Sequence, residues 1–530
     1  MVGVPRLFSL ETHWSSDETL WLHRSAQFFD AIKTGQFDQT YLAHHPGVTT
    51  MWLAGVRQIL GDGSVWASVK DLALARWFIG VGVWIGLVVA FFLVYRIFAF
   101  WPAMAIWAFL ALNPFFLAQS RRVHTDALAT VFIFLTILLF ILYCISPKQR
   151  SYLIFSGIVF GLACLTKSYS LIILLWGPVC LLLFRQYEHT WRKFFFHALL
   201  SGILFLNCTL ITIFALWPIF WTPLFGLRGI CLLGAIYLLT HAKGRHRTIH
   251  VITAGSVLVA VGFFALRTMW GVFSGVEWAV TTAHEVEHFF LGKALYDPGW
   301  LFYPFALSIK STPFTIPFAI FGVFWLWKRR KEKDLSGKQL KIVFSLICCI
   351  LLFTLCLSVT AKKFSRYLLP VFSMIDLLAG LGLFYATKGV GSWFKTILFQ
   401  QVGQIIFCIL IFALTAVPVF VLHPAMVQDH CNTHSIVGLP RTRILPLRTK
   451  SCFCPLFACW CSHRLLCFRM DLRFLKLSNT GRVRHTRRAV STLTRKLHAC
   501  STSNPCNSTL SDLDVVNRDL VGRGRFFSQN

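Results

Sequence analysis

The sequence predicts an all-α polytopic membrane protein with about a dozen transmembrane helices. Three observations lead to this fold class: 56% of the 530 residues are hydrophobic, only 14% are charged, and the mean hydropathy is +0.65. A helix that spans a bilayer needs about 20 mostly apolar residues, and such stretches recur along the chain after about residue 76. Soluble domains do not combine so many apolar residues with so few charges.

The apolar stretches predict twelve spans. They cover approximately Trp77–Phe98, Trp101–Ala118, Ala127–Ile145, Tyr152–Leu165, Ser170–Phe184, Phe194–Trp217, Phe225–Leu239, Ile249–Met269, Trp300–Trp327, Ile342–Val359, Tyr367–Ala386 and Thr396–Leu422. The two spans on either side of Thr166–Lys167–Ser168 are short, which indicates a tilted or broken pair.

The loops between the spans sort onto two faces of the membrane. One set is short and basic, and the positive-inside rule makes it cytoplasmic. This set contains Arg96, Lys148–Arg150, Arg185 to Lys193, Lys243–Arg247, Lys328 to Lys341 and Lys388 to Lys395. The alternating set contains Asp17 to Gly55, Arg121–Asp126, Thr166–Ser168, Trp217–Pro223, Gly271–Gly299 and Lys362–Arg366. Charges on the face that topology does not favour are functional candidates, so we expect the site on this outer face.

The net charge of +30 and the 17 cysteines point away from two other classes of protein. The positive charge lies largely in short loops and in the C-terminal tail, where membrane topology or sequence damage explains it better than nucleic-acid binding does. Many cysteines lie inside apolar runs, which is typical of small buried hydrophobes and not of a disulfide framework. The first residues lack an apolar core, so no cleavable signal peptide is predicted.

Composition divides the chain into three parts. Residues 1–76 are predicted to form an outer catalytic loop with amphipathic helices, residues 77–424 the transmembrane core, and residues 425–530 an Arg- and Cys-rich tail without apolar periodicity. The alternation of loops puts the N-terminus outside, so we expect that a first span is missing. We expect the tail to be frameshifted or disordered, and the product to be inactive if it is truncated. The spacing Cys452-x-Cys454 and Cys459-x-Cys461 is not C-x-x-C, which disfavours zinc.

Two adjacent carboxylates, Asp17 and Glu18, open the outer loop and precede an amphipathic run. A carboxylate that removes a proton from an acceptor hydroxyl or amine needs hydrogen-bond reach and a suitable pKa. We therefore take both as candidate catalytic residues. One alternative is that the pair caps the following helix, because acidic side chains favour a helix N-terminus. Another is that the whole segment is a solvated tail.

Basic residues on the same predicted face are candidates for binding a phosphate or pyrophosphate leaving group. They are Arg121, Arg122, Lys167, Lys362, Lys363 and Arg366. Arginine offers a bidentate fork and lysine a point charge, and both stabilise charge that develops on a leaving phosphate. The alternative is attraction to anionic lipid headgroups.

The segment His284-Glu285-Val286-Glu287-His288 matches the H-E-x-x-H signature of zinc proteases. No third ligand follows at a recognised spacing, so we favour a His–Glu pair in an interfacial substrate pocket over a metalloprotease. No metal site and no certain cofactor are predicted, and a divalent metal stays an open alternative.

Eight short motifs occur in order between about Ser15 and Pro424. They are DE at Asp17–Glu18, HPGVTTMW at His45–Trp52, HTDAL at His124–Leu128, GLACLTKS at Gly161–Ser168, HFFLG at His288–Gly292, DPGWLFYP at Asp297–Pro304, STPFT at Ser311–Thr315 and KKFSRYLLP at Lys362–Pro370. In these motifs the chain resembles bacterial GT-C-fold glycosyltransferases of the protein O-mannosyltransferase and aminoarabinose-transferase-like family, which use polyprenyl-phosphate sugars. The resemblance implies a GT-C-like helix bundle in the bacterial plasma membrane with an extracytoplasmic active-site loop.

The resemblance also implies roles for single residues. In the family, the first acidic residue of the first outer loop is the catalytic base, a role that falls to Asp17 with Glu18 beside it. The basic residues of the LTK and KKFSRY segments become candidate carrier-phosphate ligands, namely Lys167, Lys362, Lys363 and Arg366. A His–Glu pair precedes FFLG in the family, as His284–Glu285 does here. We place this pair in the substrate pocket with His45, His124 and Asp126.

The sequence thus predicts inverting transfer of a sugar from a polyprenyl-phosphate carrier to a hydroxyl or amine of a lipid, glycan or protein acceptor on the outer membrane face. The alternative from another class is a lipid or solute transporter without chemistry, which predicts charges at mid-membrane and internal repeats. Few such charges and no evident repeat occur in the sequence, which favours the enzyme. A membrane metalloprotease through His284 and Glu285 is a minor alternative.

Overall fold

The computed structural model describes residues 3–11, 15–43, 45–60, 69–185, 190–221, 288–291, 293–328, 336–360 and 362–391. All of them belong to one compact unit, residues 1–439. The predicted spans Phe225–Leu239, Ile249–Met269 and Thr396–Leu422 lie outside the described residues, as does the tail 425–530.

Short helices precede the membrane helices. They are α1 (Val4–Leu7), α2 (Ser16–Lys33), α3 (Val48–Gly55) and α4 (Arg57–Leu60), with a 3₁₀ turn at Phe37–Thr40. Phe28 of α2 and Met51 of α3 are fully buried and share one hydrophobic core with Leu72, which lies in the first membrane helix. The opening segment is therefore packed against the membrane helices and is not a solvated tail.

The membrane part of the described chain is built from longer apolar helices. Their bounds are α5 (Val69–Phe98), α6 (Phe100–Leu112), α7 (Pro114–Ser120), α8 (Thr125–Ile145), α9 (Arg150–Thr166), α10 (Ile173–Leu183), α11 (Trp191–Leu216), α12 (Phe302–Lys310), α13 (Thr315–Lys328), α14 (Ser336–Val359) and α15 (Leu369–Gly391). Short 3₁₀ turns lie at Ser168–Ile172, Pro218–Trp221 and Ser365–Leu368. Helix α8 is buried along almost its whole length, so it forms the centre of the bundle.

These helices confirm the predicted class of an integral membrane protein, whereas the count of a dozen spans is not confirmed. Five described helices are long and apolar enough to cross a bilayer, or up to seven when each of two bent pairs counts as one span. Helix α9 and the segment Ser168–Leu183 are apolar but shorter, as expected for the short pair around Lys167. The described residues also contain an antiparallel hairpin of β1 (His288–Phe290) and β2 (Lys293–Leu295), which the all-α prediction did not include.

Two predicted spans are divided by proline-containing breaks. Helices α6 and α7 meet at 61°, where Asn113 caps α7 by accepting a hydrogen bond from the Phe116 backbone N–H at 3.1 Å and Pro114 occupies the first helical turn. Helices α12 and α13 meet at 100° around Pro313. The residue before a proline is disfavoured in helical conformation, which accounts for breaks that hydropathy alone does not reveal.

Helices α13 and α15 touch backbone to backbone through glycines. A Cβ built on Gly322 would lie 2.8 Å from the Gly382 amide nitrogen, and one built on Gly382 would overlap the carbonyl oxygen of Phe318. Small residues allow such close approach of membrane helices, where packing and not the hydrophobic effect drives association. This contact holds α15 against the rest of the bundle, and the 3₁₀ turn that precedes α15 carries a site residue.

Gly382→Ala is therefore expected to lower the free energy of unfolding by about 1–3 kcal/mol, because the new methyl group meets backbone that cannot rotate away. The measurement is thermal or denaturant unfolding in detergent micelles. The matched control is Gly202→Ala in α11, where an added Cβ meets nothing within 4 Å and alanine favours a helix by about 1 kcal/mol. Equal losses in both variants would contradict the packing argument.

Candidate active site

Four helix ends bring the predicted site residues together. Asp17 lies in the first turn of α2, His124 and Asp126 lie at the start of α8, Lys167 follows the last residue of α9, and Arg366 lies in the 3₁₀ turn before α15. We call Asp17, His124, Asp126, Lys167 and Arg366 the five-residue cluster. A helix N-terminus carries partial positive charge, so the starts of α2 and α8 favour the carboxylates that they hold.

Asp126 is the centre of this cluster. Its carboxylate is fully buried and lies 2.8 Å from His124 Nδ1 and 3.3 Å from Arg366 Nε. It also forms an ion pair with Lys167 Nζ. Burial of a carboxylate is costly unless paired charges and hydrogen bonds compensate, so these three partners explain how Asp126 stays ionised. Asp126 was predicted to lie in the substrate pocket, and the structure places it between His124, Lys167 and Arg366.

Asp17 is the most exposed carboxylate of the cluster. Its side chain is 41% accessible, its Oδ2 accepts a hydrogen bond from Arg366 Nη1 at 2.7 Å, and the same oxygen lies 3.7 Å from His124 Nε2. Burial raises the pKa of Asp17, but Arg366 and His124 outweigh it and hold this pKa below its ordinary value. Asp17 is therefore an ionised carboxylate at neutral pH that a second molecule can reach.

Lys167 is closed off from solvent. Only 1% of it is exposed, and its Nζ lies 4.2 Å from the centre of the Tyr367 ring and 5.1 Å from that of Tyr169. Burial lowers the pKa of Lys167 to about 8, although Asp126 opposes the change. This predicted carrier-phosphate ligand is thus the more buried of the two cations in the cluster, and its nearest partners are Asp126 and two tyrosines.

Glu18 is held within the protein and points away from Asp17. Its two carboxylate oxygens accept hydrogen bonds from Arg76 Nε and Nη2 at 2.7 Å each, and Val123 N–H donates to Oε1 at 3.1 Å. The backbone N–H of Ser15 donates to Oε2 at 3.1 Å, so Glu18 completes a capping box at the start of α2. Burial raises the pKa of Glu18, but Arg76 holds it below its ordinary value. These contacts match the capping alternative for Glu18.

Glu18→Gln is expected to destabilise the fold by about 3 kcal/mol, because it removes the charge of a buried carboxylate that receives two hydrogen bonds from the Arg76 guanidinium. The free energy of unfolding in detergent measures this loss. Glu11→Gln, the same chemical change at an exposed position, is the control and should alter stability by less than about 0.5 kcal/mol. A Glu18→Gln protein as stable as the control would show that Glu18 has no structural role.

The two arginines of the RRVHTD segment lie beside the cluster. Arg121 is buried and donates to the backbone carbonyls of Pro5, Phe8 and Ser9, at 3.0 Å for Phe8 and 2.6 Å for Ser9. It thereby fixes the N-terminal segment and is not brought into the cluster. Arg122 lies half-buried in the turn before α8. Their predicted phosphate-binding role stays a prediction.

Lys362 and Lys363 directly precede the 3₁₀ turn that contains Arg366. Lys363 is 1% exposed, and its Nζ donates to Asp297 Oδ1 at 2.6 Å and to the Thr360 carbonyl at 2.7 Å. Lys362 is half-buried and close enough to His45 to lower the pKa of that imidazole. The Asp297–Lys363 pair joins the DPGW segment to the KKFSR segment, a link between two motifs that sequence analysis treated separately.

The HPG turn packs on the LTKS turn. His45 Nδ1 lies 3.4 Å from Ser168 Oγ, and the Gly47 N–H donates to the Thr166 carbonyl at 3.2 Å. Gly47 has φ +60 and no room for a Cβ beside Trp21, so this position requires glycine. Burial, reinforced by Lys167, lowers the pKa of His45 to about 3, which keeps the imidazole neutral.

The remaining site predictions concern residues outside the five-residue cluster. His284 and Glu285 lie outside the described residues, so the H-E-x-x-H match is not placed. Within the part of the chain that the structure describes, no group of three or more His, Cys, Asp or Glu side chains is arranged to hold a metal ion. Sequence analysis missed Arg76, Tyr169 and Asp297 as partners of site residues. Arg76 and Asp297 each carried a signal, since one is a cation at the start of an apolar span and the other begins a quoted motif.

Comparison with known proteins gives one family match. Residues 45–220 match the family model described as dolichyl-phosphate-mannose-protein mannosyltransferase. This segment contains the HPG, HTD and LTKS motifs, and therefore three residues of the five-residue cluster, His124, Asp126 and Lys167. A search of curated proteins finds no significant match.

Several solved structures are similar at low sequence identity. ArnT from Cupriavidus metallidurans, bound to undecaprenyl phosphate, is 14% identical with a TM-score of 0.45, and the overlap covers 81% of this chain and 72% of that one. The archaeal oligosaccharyltransferase AglB from Archaeoglobus fulgidus, in complex with an inhibitory peptide and a dolichol-phosphate, is 11% identical with a TM-score of 0.48, over 80% of this chain and 54% of that one. The family match over residues 45–220 confirms the resemblance to protein O-mannosyltransferases predicted from the sequence.

Proposed function

We propose that the chain transfers a sugar from a polyprenyl-phosphate carrier to a hydroxyl or amine of a lipid, glycan or protein acceptor. The observation that carries this proposal is the Asp17–Arg366 pair at 2.7 Å, which joins residues 349 positions apart at the exposed edge of the cluster. An accessible base beside a guanidinium is what such a transfer needs, because one group deprotonates the acceptor and the other binds the departing phosphate. The family that matches residues 45–220 is described by a dolichyl-phosphate-mannose donor, which supports the same donor class.

We assign each step of the proposed reaction to a particular residue. Asp17 takes the proton of the acceptor, whose oxygen or nitrogen bonds to the anomeric carbon from the side opposite the phosphate. The bond between that carbon and the phosphate oxygen breaks, and the carrier leaves as polyprenyl phosphate. The configuration at the anomeric carbon is therefore inverted. Arg366 has five N–H donors and can bind a carboxylate and a phosphate oxygen together, and we assign Lys362 as the second phosphate ligand.

The surroundings of the cluster suit a carrier with a long apolar tail. The cluster lies at the ends of α8 and α15, both of which pass the criteria for membrane spans. A phosphate at this level leaves the polyprenyl chain in the hydrocarbon region. We propose further that this end of the bundle faces the extracytoplasmic side of a bacterial plasma membrane, since the basic residues Lys148 and Arg150 lie at the opposite end of α8. We propose residues 1–76 as the catalytic loop, of which 69–76 already form the start of α5, and residues 77–424 as the transmembrane core.

The experiment uses the full chain reconstituted in vesicles with a panel of polyprenyl-phosphate sugars and mixed acceptors. We expect polyprenyl phosphate to be released and a glycosylated acceptor to form, and mass spectrometry follows both products. Movement of intact donor or of solute across the vesicle membrane, with no bond broken, would instead establish the transporter and overturn the proposal. Empty vesicles provide the control for spontaneous donor hydrolysis.

A further inference from the structure

Three side chains of the cluster stand in a line from the exposed edge to the interior. Asp17 Oδ2 lies 3.7 Å from His124 Nε2, and Nδ1 on the other side of the same ring lies 2.8 Å from Asp126 Oδ2. Nδ1 also lies 3.4 Å from the Asp126 backbone N–H, which would donate to an unprotonated Nδ1. We assign the proton to Nδ1 because its contact with the carboxylate oxygen is much shorter, and two lone pairs at 2.8 Å would repel each other. The neutral ring then presents an unprotonated Nε2 to Asp17. This is the tautomer that can accept a proton from Asp17.

The proposed transfer releases one proton that needs a destination. An acceptor hydroxyl loses its hydrogen, and the carrier phosphate goes from one negative charge as a diester to about two as a monoester. If the proton stayed on Asp17, the base would be spent and its pairing with Arg366 lost. An adjacent base that takes the proton restores the Asp17 carboxylate within the same turnover.

We propose that His124 accepts at Nε2 the proton that Asp17 removes from the acceptor, with Asp126 stabilising the resulting imidazolium. The inference rests on the proposed function, and it adds a proton path that the base alone does not supply. In the step, the O–H bond on Asp17 breaks and an N–H bond forms on Nε2, while Nδ1–H remains hydrogen-bonded to Asp126. No oxidant or other co-reactant is required, and the proton leaves to solvent after the product departs.

Several charged and titratable groups face His124 from the elements packed around it. They are Asp17 from α2, Asp126 from α8, Lys167 from the turn after α9, Arg366 from the turn before α15 and His45 from the HPG turn. Burial lowers the pKa of His124, Asp126 opposes this, and Arg366 and Lys167 lower it further. The imidazole is therefore neutral and ready before the reaction. The negative charge that then develops on the nearby phosphate raises its affinity for a proton.

His124→Asn tests the relay. The Asn amide can cap α8 and donate to Asp126 as Nδ1 does, but it cannot accept a proton. In vesicles with a polyprenyl-phosphate sugar, we expect kcat at neutral pH to fall by about 10²-fold while the donor KM changes less than about twofold. The wild-type kcat should decline in acid as His124 becomes protonated, and in His124→Asn this acid limb should move to lower pH, where only protonation of Asp17 remains to cause it. Should that variant not fold, His124→Gln is measured in its place.

The outcomes separate the relay from the proposed function. His23→Asn, at an exposed position of α2, is the control and should behave as wild type. An unchanged kcat in His124→Asn, or a lower kcat with the acid limb at the same pH as in wild type, would overturn the relay while sugar transfer by the wild type stands. Absence of transfer in every protein, wild type included, would overturn the proposed function and the relay together.

Discussion

Asp17→Asn is expected to lower kcat for sugar transfer by about 10²–10⁴-fold, the usual contribution of a general base. Asparagine keeps the size of the side chain and can still accept a hydrogen bond from Arg366, but it cannot take a proton at neutral pH. Because Asp17 is 41% exposed and paired with an arginine that is itself at the cluster edge, its replacement costs little folding energy. The loss should therefore appear in kcat, with unfolding in detergent nearly unchanged.

Asp30→Asn is the matched control for this experiment. Asp30 lies in the same helix as Asp17, is exposed, and undergoes the same loss of one negative charge. Its transfer rate should equal that of wild type. Equal rates for Asp17→Asn and wild type would remove Asp17 from the mechanism, whereas equal losses in both aspartate variants would point to the overall charge of α2 instead of a base.

The helices were largely predictable because membrane spans are encoded locally. Twenty apolar residues between polar turns leave few alternatives, so α5, α8 and α11 begin and end within a few residues of the predicted bounds, except that α5 starts at Val69. The breaks were not predicted, because hydropathy averages over Pro114 and Pro313. Asn113, which caps α7 at one of these breaks, also donates a hydrogen bond to Asp376 at 2.9 Å. These two residues are far apart in the sequence, so a local pattern does not predict their contact.

For the site, the sequence predicted which face the residues share but not which of them meet. Topology assigns a loop to one side of the bilayer and says nothing of pairs such as Asp17 and Arg366. Topology also does not indicate how deeply each side chain is buried. Glu18 and Lys167 were therefore grouped by charge with Asp17 and Arg366. In the structure, Asp17 and Arg366 are accessible to a substrate, whereas Glu18 and Lys167 are buried. Residue type in a polar loop cannot encode that depth.

The charges of the cluster balance in pairs. With His124 neutral, two carboxylates face two cations, Lys167 and Arg366. A phosphate that binds at Arg366 competes with Asp17 for the guanidinium, which would leave the Asp17 carboxylate less stabilised and more basic at the moment when an acceptor must lose its proton. Donor binding and activation of the base are thus linked through one side chain.

Asp126→Asn is expected to lower the free energy of unfolding by about 3–5 kcal/mol and to abolish transfer. The change leaves the ammonium of Lys167, which is 1% exposed, without its ion-pair partner, and a buried charge without a partner is strongly destabilising. It also removes the acceptor that orients His124 and Arg366. Unfolding in detergent and transfer in vesicles measure the two effects separately. A surface change such as Asp30→Asn sets the baseline of about 0.5 kcal/mol.

A second substitution separates stability from activity at this carboxylate. In Asp126→Asn/Lys167→Met the unpaired ammonium is gone and an apolar chain of similar length lies against Tyr169 and Tyr367, so most of the lost stability should return, as it often does when a buried ion pair is replaced as a whole. Transfer should remain absent, because the amide cannot hold Arg366 and the imidazole of His124 as a carboxylate does. Recovery of both properties would mean that Asp126 serves only to neutralise Lys167; recovery of neither would mean that the two residues are not energetically coupled.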